Sequence, residues 1–490
     1  MSDEREARLA KLAALREEGI EPYPARAHRT IMAADALARY DELVDQKLTI
    51  AGRLMQLREM GKAAFAHIED GSGRIQIYIK RDAVGEAAFK RLKLLDLGDF
   101  IEATGSLFTT KTGEKTLHVD EYTLLAKALT ALPAKGAGGD LKLFDPETRH
   151  RKRYLDLLAN RAEEFPIFIA RAKVLAAMRN FLNSRDFIEV ETPILQPLYG
   201  GATSQPFITH HNALDRDLYL RIAPELYLKR LLVGGLERVY EIARNFRNEG
   251  IDRSHNPEFT MMECYQAYAD FEDIMRLVEE MYADIAEQVT GGTKITYLGT
   301  EVDLRPPWKR LTLREAIATH TGIDYEEYPT REALAAAMRE RGYEVDPKLA
   351  RGRLIDELKD TIIKGQSAKI KEPLFLYDYP RDLSPLAKQK PGSSDTAERF
   401  QAFAAGLELG NAFTELNDPL DQRARFEDQA RQRAGGDVEA QPLDEDFIEA
   451  LEVGMPPAGG YGGGIDRLTM LLTNQESIRE VILFPTMREK

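Results

Sequence analysis

The chain has 490 residues, more than one compact core accommodates, so two or three domains are expected. Hydrophobic residues make up 43% of it and charged residues 30%, and no run of eighteen apolar residues occurs, which excludes a protein that spans a membrane. The net charge of −14 argues against a uniformly RNA-binding surface, but residues 1–130 carry 20 Lys and Arg against 21 Asp and Glu, so a local RNA-binding patch fits best there.

The first part of the chain predicts a helical extension over residues 1–48. Leu9, Leu12 and Leu15 are spaced as on one face of a helix, among Glu, Arg and Ala, whereas a signal peptide requires a continuous apolar stretch. The single cysteine, Cys264, excludes an internal disulfide, and the histidines show no metal-ligand spacing. We therefore expect a cytoplasmic protein that is stabilised by packing.

Residues 49–130 have the pattern of a small β-barrel. Turn signals separate five strand-like segments, which we predict at 48–54, 64–69, 75–79, 100–108 and 117–125. A helical segment at 83–95 lies between the third and the fourth. This order of elements matches an OB-fold, a common platform for single-stranded nucleic acid. A small all-β domain with another task is the alternative.

The glycine-rich stretch at 135–139 predicts a flexible linker, which we place at 131–150. The remaining residues, 151–490, are expected to form a second domain. Its first elements are a long helix at 161–184 and a strand at 187–192 that Pro193 ends. A helical, Ala- and Glu-rich stretch at about 312–365 has the appearance of an inserted subdomain.

Two strands joined by a polar loop, at 239–247 and 257–265, carry the first candidate site. Alternate residues of a strand share a face, so Phe259, Glu263 and Tyr265 lie together, and Arg247 ends the neighbouring strand. Arginine suits a phosphate or carboxylate through its bidentate fork, and a phenyl ring suits an adenine. The alternative is an ordinary hairpin whose polar face meets water.

A strand-like segment at 409–415 places Asn411, Phe413 and Glu415 on one face. A buried, unpaired glutamate is costly, so Glu415 either reaches solvent or faces a cation. Taken alone, the segment favours solvent, since glutamate is rarely buried.

The glycine-rich segment at 459–464 leads into a predicted helix with Arg467 near its start. An anion can meet this arginine together with the helix dipole. The spacing is neither that of a P-loop nor that of a dinucleotide-binding fingerprint. Tight packing of the helix on a sheet is the alternative.

Taken together, these segments resemble class II aminoacyl-tRNA synthetases. Counterparts of the three motifs of that class lie at the strand that ends at Pro193, at 246–259 and at 462–467. Three further segments are similar to the lysine-specific members of the class: 209–215, 223–230 and 414–419. The resemblance implies an α+β chain, with an N-terminal OB-fold barrel and then a catalytic domain built on an antiparallel sheet flanked by helices.

The resemblance also implies an activity. Such an enzyme activates L-lysine with ATP to the adenylate and pyrophosphate, and then transfers lysine to the 3′ end of tRNA(Lys). It uses Mg²⁺, for which Glu408 is the expected ligand, and it is a homodimer. The expected catalytic residues are Arg247 and Arg467. The ATP-binding residues implied are Arg247, Glu249, His255, Asn256, Phe259, Glu408 and Arg467.

The lysine-binding residues that the resemblance implies are Gly201, Glu225, Arg247, Glu263, Tyr265, Asn411, Phe413 and Glu415. Those implied for the tRNA anticodon are Arg58, Phe65, Gln76 and Glu114. Phe65 is expected to stack on an unpaired base, as recognition of single-stranded RNA usually requires.

The sequence departs from the family pattern at a few positions. Ser254 replaces a common arginine, Gln401 replaces a common glutamate that serves as a second metal ligand, and Tyr461 and Gly463 replace bulkier aliphatic residues. The number of Mg²⁺ ions therefore stays open.

Three other functions are the alternatives to this one. An aspartyl- or asparaginyl-tRNA synthetase needs basic or polar groups where Glu415 and Tyr265 suit an ammonium group. A related enzyme that attaches lysine to a protein lacks the barrel. A non-catalytic RNA-binding relative is expected to have lost Arg247, Glu249 or other motif residues, which are intact here.

Overall fold

The computed structural model describes residues 2–133, 141–347, 349–365, 367–434 and 441–489. The chain divides into two compact units, Met1–Leu143 and Phe144–Lys490. The glycine-rich stretch predicted as a linker, at 135–139, lies outside the described residues. Within the described ranges, no helix has the length and apolar character needed to cross a membrane.

The first unit is a closed five-stranded barrel with helices around it. Its helices are α1 Ser2–Glu17, α2 Ala33–Ala38, α3 Tyr40–Leu43, α4 Arg81–Val84 and α5 Glu86–Arg91. Its strands are β1 Leu48–Met60, β2 Ala63–Glu69, β3 Arg74–Lys80, β4 Phe100–Thr109 and β5 Lys115–Ala126. The strands follow the order β1-β2-β3-β5-β4 around the barrel, which confirms the predicted OB-type fold.

Along the barrel strands, side chains buried inside the barrel alternate with side chains that face outward. In β3 the side chains of Ile75, Ile77 and Ile79 are buried inside, while Gln76 and Tyr78 between them face outward. The predicted helix at 83–95 is interrupted at Gly85, whose φ of 87° ends α4 before α5 begins. The first strand is longer than predicted because it continues past a bulge between Leu54 and Gln56 to pair with β2.

The second unit contains a large mixed sheet and many helices. Its helices are α6 Pro146–Arg151, α7 Arg153–Ala159, α8 Arg161–Asn183, α9 Glu225–Val233, α10 Phe271–Thr290, α11 Leu313–Thr321, α12 Arg331–Glu340, α13 Arg351–Ile363, α14 Pro419–Ala434, α15 Glu445–Gly454, α16 Ile465–Thr473 and α17 Ile478–Val481. Its strands are β6 Ile188–Glu189, β7 Leu195–Gln196, β8 Ile208–His211, β9 Arg216–Leu220, β10 Arg238–Phe246, β11 Glu258–Ala267, β12 Lys294–Tyr297, β13 Thr300–Asp303, β14 Lys309–Thr312, β15 Leu374–Pro380, β16 Thr396–Ala404, β17 Leu407–Thr414 and β18 Ala458–Gly464.

The main sheet has eight strands in the order β14-β15-β16-β17-β18-β11-β10-β6. The six central strands pair antiparallel, as predicted. The two edge strands, β14 and β6, pair parallel to their neighbours, so the sheet is mixed. Strand β6 is shorter than the predicted 187–192. Near the end of the predicted range, the backbone N–H and the hydroxyl of Thr192 donate to a side chain, the Glu241 carboxylate, at 3.2 and 2.7 Å.

One face of this sheet packs on helices and the other holds the site. Residues of even number in β10 and β11, such as Tyr240, Met262 and Cys264, join the core formed with α8, α10 and α16. Residues of odd number in β11, Phe259 to Tyr265, therefore face the opposite way. The helices α11, α12 and α13 build a smaller core of their own against β15 and β16.

Candidate active site and RNA-binding face

A cavity of about 850 Å³ opens on the odd-numbered face of β11. All fourteen residues that the family resemblance placed at an ATP or lysine site line it: Gly201, Glu225, Arg247, Glu249, His255, Asn256, Phe259, Glu263, Tyr265, Glu408, Asn411, Phe413, Glu415 and Arg467. They come from six separate parts of the chain, so only the fold brings them together.

The floor of the cavity is the glycine-rich strand β18, which lies between β11 and β17. Gly460 pairs with Tyr265 on one side and with Phe413 on the other, and Gly462 pairs in the same way with Glu263 and Asn411. A Cβ atom at Gly460 would collide with the Glu415 carboxylate and the Tyr265 ring. The glycines therefore leave the space that these side chains and a ligand occupy.

Two guanidinium groups mark one end of the cavity. The guanidinium carbon of Arg247 lies 5.0 Å from the centre of the Phe259 ring, and Arg247 Nε donates to the Ile222 carbonyl at 3.4 Å. Arg467 donates to the Glu408 carbonyl at 3.2 Å, and its other terminal nitrogen lies 3.3 Å from His255 Nε2. Burial lowers the pKa of Arg247, although Glu249 opposes the shift. Two cations beside a ring can hold the phosphates and the base of a nucleotide.

Glu408 lies within reach of both guanidinium and ammonium groups. Its carboxylate is 3.7 Å from Arg467 Nη1 and 3.8 Å from Lys364 Nζ. Burial raises the pKa of this carboxyl, but the nearby cations outweigh it and lower the pKa below its usual value. Glu408 is therefore ionised at neutral pH, and its carboxylate oxygens can act as ligands to a cation.

The amide nitrogen of Gln401 donates a hydrogen bond to the Glu408 carboxylate at 3.0 Å. Its amide oxygen is already used, because it accepts from the Tyr379 hydroxyl at 2.6 Å and from Lys359 Nζ at 3.2 Å. In this orientation Gln401 offers the cavity a donor and not a metal ligand.

Acidic side chains mark the other end of the cavity. Glu225 and Glu263 are buried, and Glu415 is only 1% exposed. The Tyr265 hydroxyl donates to Glu263 at 3.0 Å. Burial, with the nearby charge of Glu225, raises the pKa of Glu263 to about 8. Burial likewise raises the pKa of Glu415 to about 8, although Lys229 opposes the rise.

Lys229 is the cation that faces Glu415, so the solvent-facing alternative for this glutamate is wrong. Its ammonium contacts the Glu415 carboxylate and donates to Glu225 at 2.7 Å. Sequence reasoning missed Lys229, although its position four residues after Glu225 on a helix was a usable signal.

Two further residues that sequence reasoning missed hold predicted site residues in place. Arg399 Nε donates to the Asn411 amide oxygen at 2.9 Å, and the Gln441 amide oxygen accepts from the Gly201 backbone at 3.1 Å. Gln441 is distant in sequence from Gly201, and Arg399 reaches Asn411 from the neighbouring strand, so the pattern of a single strand indicates neither contact.

The four residues predicted to bind an anticodon lie on one side of the barrel. Phe65 on β2 pairs across the strands with Arg58 on β1 and with Tyr78 on β3, and the Phe65 and Tyr78 rings are 4.8 Å apart. Gln76 Nε2 donates to the Glu114 carboxylate at 2.7 Å. Sequence reasoning missed that rings of Tyr78, Phe108 and His118 continue from Phe65, with centroids 5.7 to 6.1 Å apart. We call these four rings the ring face; each is half-buried.

Comparisons with known proteins agree with this geometry. Residues 145–488 match a family described as tRNA synthetases class II (D, K and N), and residues 48–125 match a family described as an OB-fold nucleic acid binding domain. A lysine–tRNA ligase of Chloroflexus aurantiacus is 54% identical over 100% of this chain and 99% of its own length. Those of Moorella thermoacetica and Dehalococcoides mccartyi are 52% and 50% identical, each over 99% of this chain and 97% of their own. The chain therefore belongs to the class II tRNA synthetases (D, K and N) and is an aminoacyl-tRNA synthetase.

Proposed function

We propose that this chain is a lysine–tRNA ligase, which activates L-lysine with ATP and transfers it to tRNA(Lys). The observation that carries the choice of amino acid is the acidic end of the cavity. Two buried carboxyl groups, Glu225 and Glu415, and the Tyr265 hydroxyl suit two ammonium groups, whereas an aspartate or asparagine side chain requires basic or polar partners.

The lysine carboxylate attacks the α-phosphorus of ATP and pyrophosphate leaves. A hydroxyl at the 3′ end of the tRNA then attacks the carbonyl carbon of the adenylate, and AMP leaves. No protein nucleophile takes part, so catalysis depends on positioning and on neutralising phosphate charge. Arg247 holds the α-phosphate and the lysine carboxylate, and Arg467 holds the γ-phosphate. The proximity of Arg247 to Glu263 and of Arg467 to His255 supports this division.

The base of ATP stacks on Phe259, which already lies under the guanidinium of Arg247. Glu249, His255 and Asn256 complete the nucleotide site. Glu249 accepts a hydrogen bond from Ser204, and Asn256 donates to the Glu258 carbonyl at 2.6 Å, so both side chains are held by other residues of the protein.

Mg²⁺ fits this site as a partner of the phosphates. Glu408 supplies one ionised carboxylate, and Mg²⁺ in nucleotide sites is commonly held by one or two carboxylates together with substrate phosphates. Within the described ranges, no group of three His, Cys, Asp or Glu residues could hold a metal without such a substrate. When bound with ATP, the ion supplies positive charge at the phosphates.

The amino acid occupies the acidic end. Gly201 and Glu225 hold its α-ammonium group, with Glu263 close by, and Glu415 and Tyr265 hold its ε-ammonium group. Asn411 and Phe413 form the wall between them. The position of the glycine strand under Tyr265 and Phe413 supports this arrangement, because it leaves room for an extended side chain.

For the tRNA anticodon we propose the ring face and its polar neighbours. Phe65 stacks one unpaired base, and Arg58, Gln76 and Glu114 bind base edges or phosphate. The exposure of Arg58 and Glu114, and the hydrogen bond that orients Gln76 toward Glu114, support this role.

We also propose a homodimer. Strand β6 is an edge of the main sheet, and apolar side chains near it, Ile188, Ile194 and Leu195, are 41 to 49% exposed. An exposed apolar patch beside an unpaired strand edge favours association of two copies. Light scattering on the purified protein tests this proposal. A measured mass equal to that of one chain contradicts a homodimer.

The test of the proposed function is ATP–pyrophosphate exchange with each of the twenty amino acids, in the presence of Mg²⁺ and without tRNA. We expect exchange with lysine alone. Exchange with aspartate or asparagine contradicts the choice of amino acid, and no exchange from folded protein favours a non-catalytic relative.

A further inference from the structure

Lys229 lies at the acidic end of the cavity but is not among the residues that the family resemblance implied. Its side chain is fully buried on α9, and the residue is not part of the cavity lining. It contacts Glu225, one turn earlier on the same helix, and Glu415, at the end of β17. One ammonium group therefore joins two carboxyl groups from distant parts of the chain.

The contacts of Lys229 use one oxygen of each carboxyl group. It binds Glu225 through Oε1 and Glu415 through Oε2. Within the described ranges neither oxygen of Glu415 accepts a hydrogen bond of regular geometry: Oε2 has the ion pair with Lys229, whereas Oε1 lies against Gly460. A buried carboxylate oxygen that faces the cavity without a donor is suited to an ammonium group of a ligand.

We propose that Lys229 is a positioning residue for the amino acid: its ammonium group holds Glu225 and Glu415 at a fixed spacing and turns the second oxygen of Glu415 toward the ε-ammonium group of lysine. This inference rests on the proposed function. Lys229 touches neither lysine nor ATP, but it fixes two carboxyl groups that contact lysine.

Charge supports the same role. Glu225, Glu263 and Glu415 place three carboxyl groups in one buried region, and Lys229 and Arg247 are the cations beside them. Within the described ranges, the titratable groups around Glu415 are Lys229 and Glu225 on α9 and Glu263 and Tyr265 on β11, since β18 contributes only alanine and glycine to this face. Lys229 lowers the pKa of Glu415, so its removal shifts the ionisation of that carboxyl to higher pH.

The test is ATP–pyrophosphate exchange by Lys229→Met and Lys229→Arg, with KM measured separately for lysine and for ATP between pH 6.5 and pH 9.5. We expect the KM for lysine of Lys229→Met to rise about tenfold or more at pH 7 and its pH profile to move up by about one unit, with the KM for ATP changed less than about twofold. Lys229→Arg keeps the charge and should retain the wild-type pH profile.

A matched control is Lys127→Met, which removes another buried lysine, one that contacts Asp96 at 2.6 Å and Asp99 at 2.9 Å in the barrel unit. It reports the cost of losing a buried ion pair elsewhere and should leave the KM for lysine unchanged. If Lys229→Met does not fold, as its circular dichroism and thermal unfolding will show, the same measurements on Lys229→Gln decide.

The inference is overturned if a folded Lys229 variant that lacks the charge has the wild-type pH profile and KM for lysine. It is also overturned if the KM values for lysine and ATP rise together, because that indicates a general disturbance of the cavity. Failure of the proposed function is a separate result: the wild-type protein then shows no lysine-dependent exchange.

Discussion

The ring face of the barrel and the cavity of the second unit differ in how far their side chains are exposed to solvent. The rings of Phe65, Tyr78, Phe108 and His118 are half-buried on a surface, and the polar groups beside them pair with one another in solvent. The cavity instead buries its carboxyl groups, and burial raises the pKa of Glu263 and Glu415 to about 8. A half-buried surface can lose one contact and remain folded, whereas a buried charge that loses its partner disturbs its neighbours.

The largest expected effect therefore lies at the phosphate end of the cavity. Arg467→Ala removes a guanidinium that neutralises phosphate charge, and we expect kcat for lysine-dependent exchange to fall by about 10² to 10³. Steady-state exchange kinetics measure this, with thermal unfolding to verify the fold. A loss smaller than about tenfold contradicts the role given to Arg467.

The next effect tests the acidic end. Glu415→Gln keeps the shape but removes the charge that faces an ammonium group, and a charged hydrogen bond contributes about 1.5–3 kcal/mol. We expect the KM for lysine to rise about ten- to a hundredfold and the KM for ATP to stay near its wild-type value. Wild-type affinity for lysine in this variant, measured by calorimetry, would show that Glu415 does not select the ammonium group.

Phe65→Ala tests whether the barrel contributes to tRNA binding separately from the cavity. Loss of one stacked base costs about 1–3 kcal/mol, so the KM for tRNA in aminoacylation should rise about fivefold or more. Exchange without tRNA should be unchanged, because the ring lies in the other unit. Phe100→Ala is a suitable control, since that ring is 37% exposed and lies under Arg53, outside the ring face. An equal effect of both substitutions on tRNA contradicts base stacking at Phe65.

The remaining effect requires no substitution and is a pH dependence confined to the cavity. Glu263 and Glu415 hold protons in the empty protein below about pH 8, and an ammonium ligand favours their ionised forms. Lysine should therefore release protons on binding at pH 7, and its affinity should rise until about pH 8, by up to about tenfold per pH unit for each carboxyl group that loses its proton. Calorimetry in buffers of different ionisation enthalpy measures the released protons. Binding without proton release at pH 7 contradicts the shift.

The same two carboxyl groups also contribute to the pH dependence of stability. Their pKa values are higher in the folded than in the unfolded chain, so the folded state holds more protons between about pH 4.5 and pH 8. Their contribution to stability is therefore largest at low pH, and it decreases as pH rises through this window. Saturating lysine should reduce that decrease, which thermal unfolding with and without lysine will show.

Much of this arrangement could be predicted from local pattern and family resemblance. Alternation along 257–265 placed Phe259, Glu263 and Tyr265 on one face, and β11 has them there. The order of strands predicted the barrel because each strand alternates over its own length. Both predictions depend on neighbours in the sequence, where the period of a strand is visible.

The rest depends on contacts between distant segments. Lys229 faces Glu415 across 186 positions of the sequence, and no periodicity relates them. The glycine-rich segment at 459–464 was not predicted to be a strand, because glycine disfavours strands. It is one here because its backbone bonds to β11 on one side and to β17 on the other.

This central strand also constrains how the protein can change. Five of the seven residues of β18 are glycines, so the floor of the cavity is largely main chain, which substitution cannot reshape gradually. Any side chain added at Gly460 enters the space of Glu415 and Tyr265 at once. Efforts to redirect the enzyme toward a shorter diamino acid should therefore vary Phe413 and Asn411, which alter the width of the cavity. The glycines should be kept, because a side chain at these positions would fill the cavity.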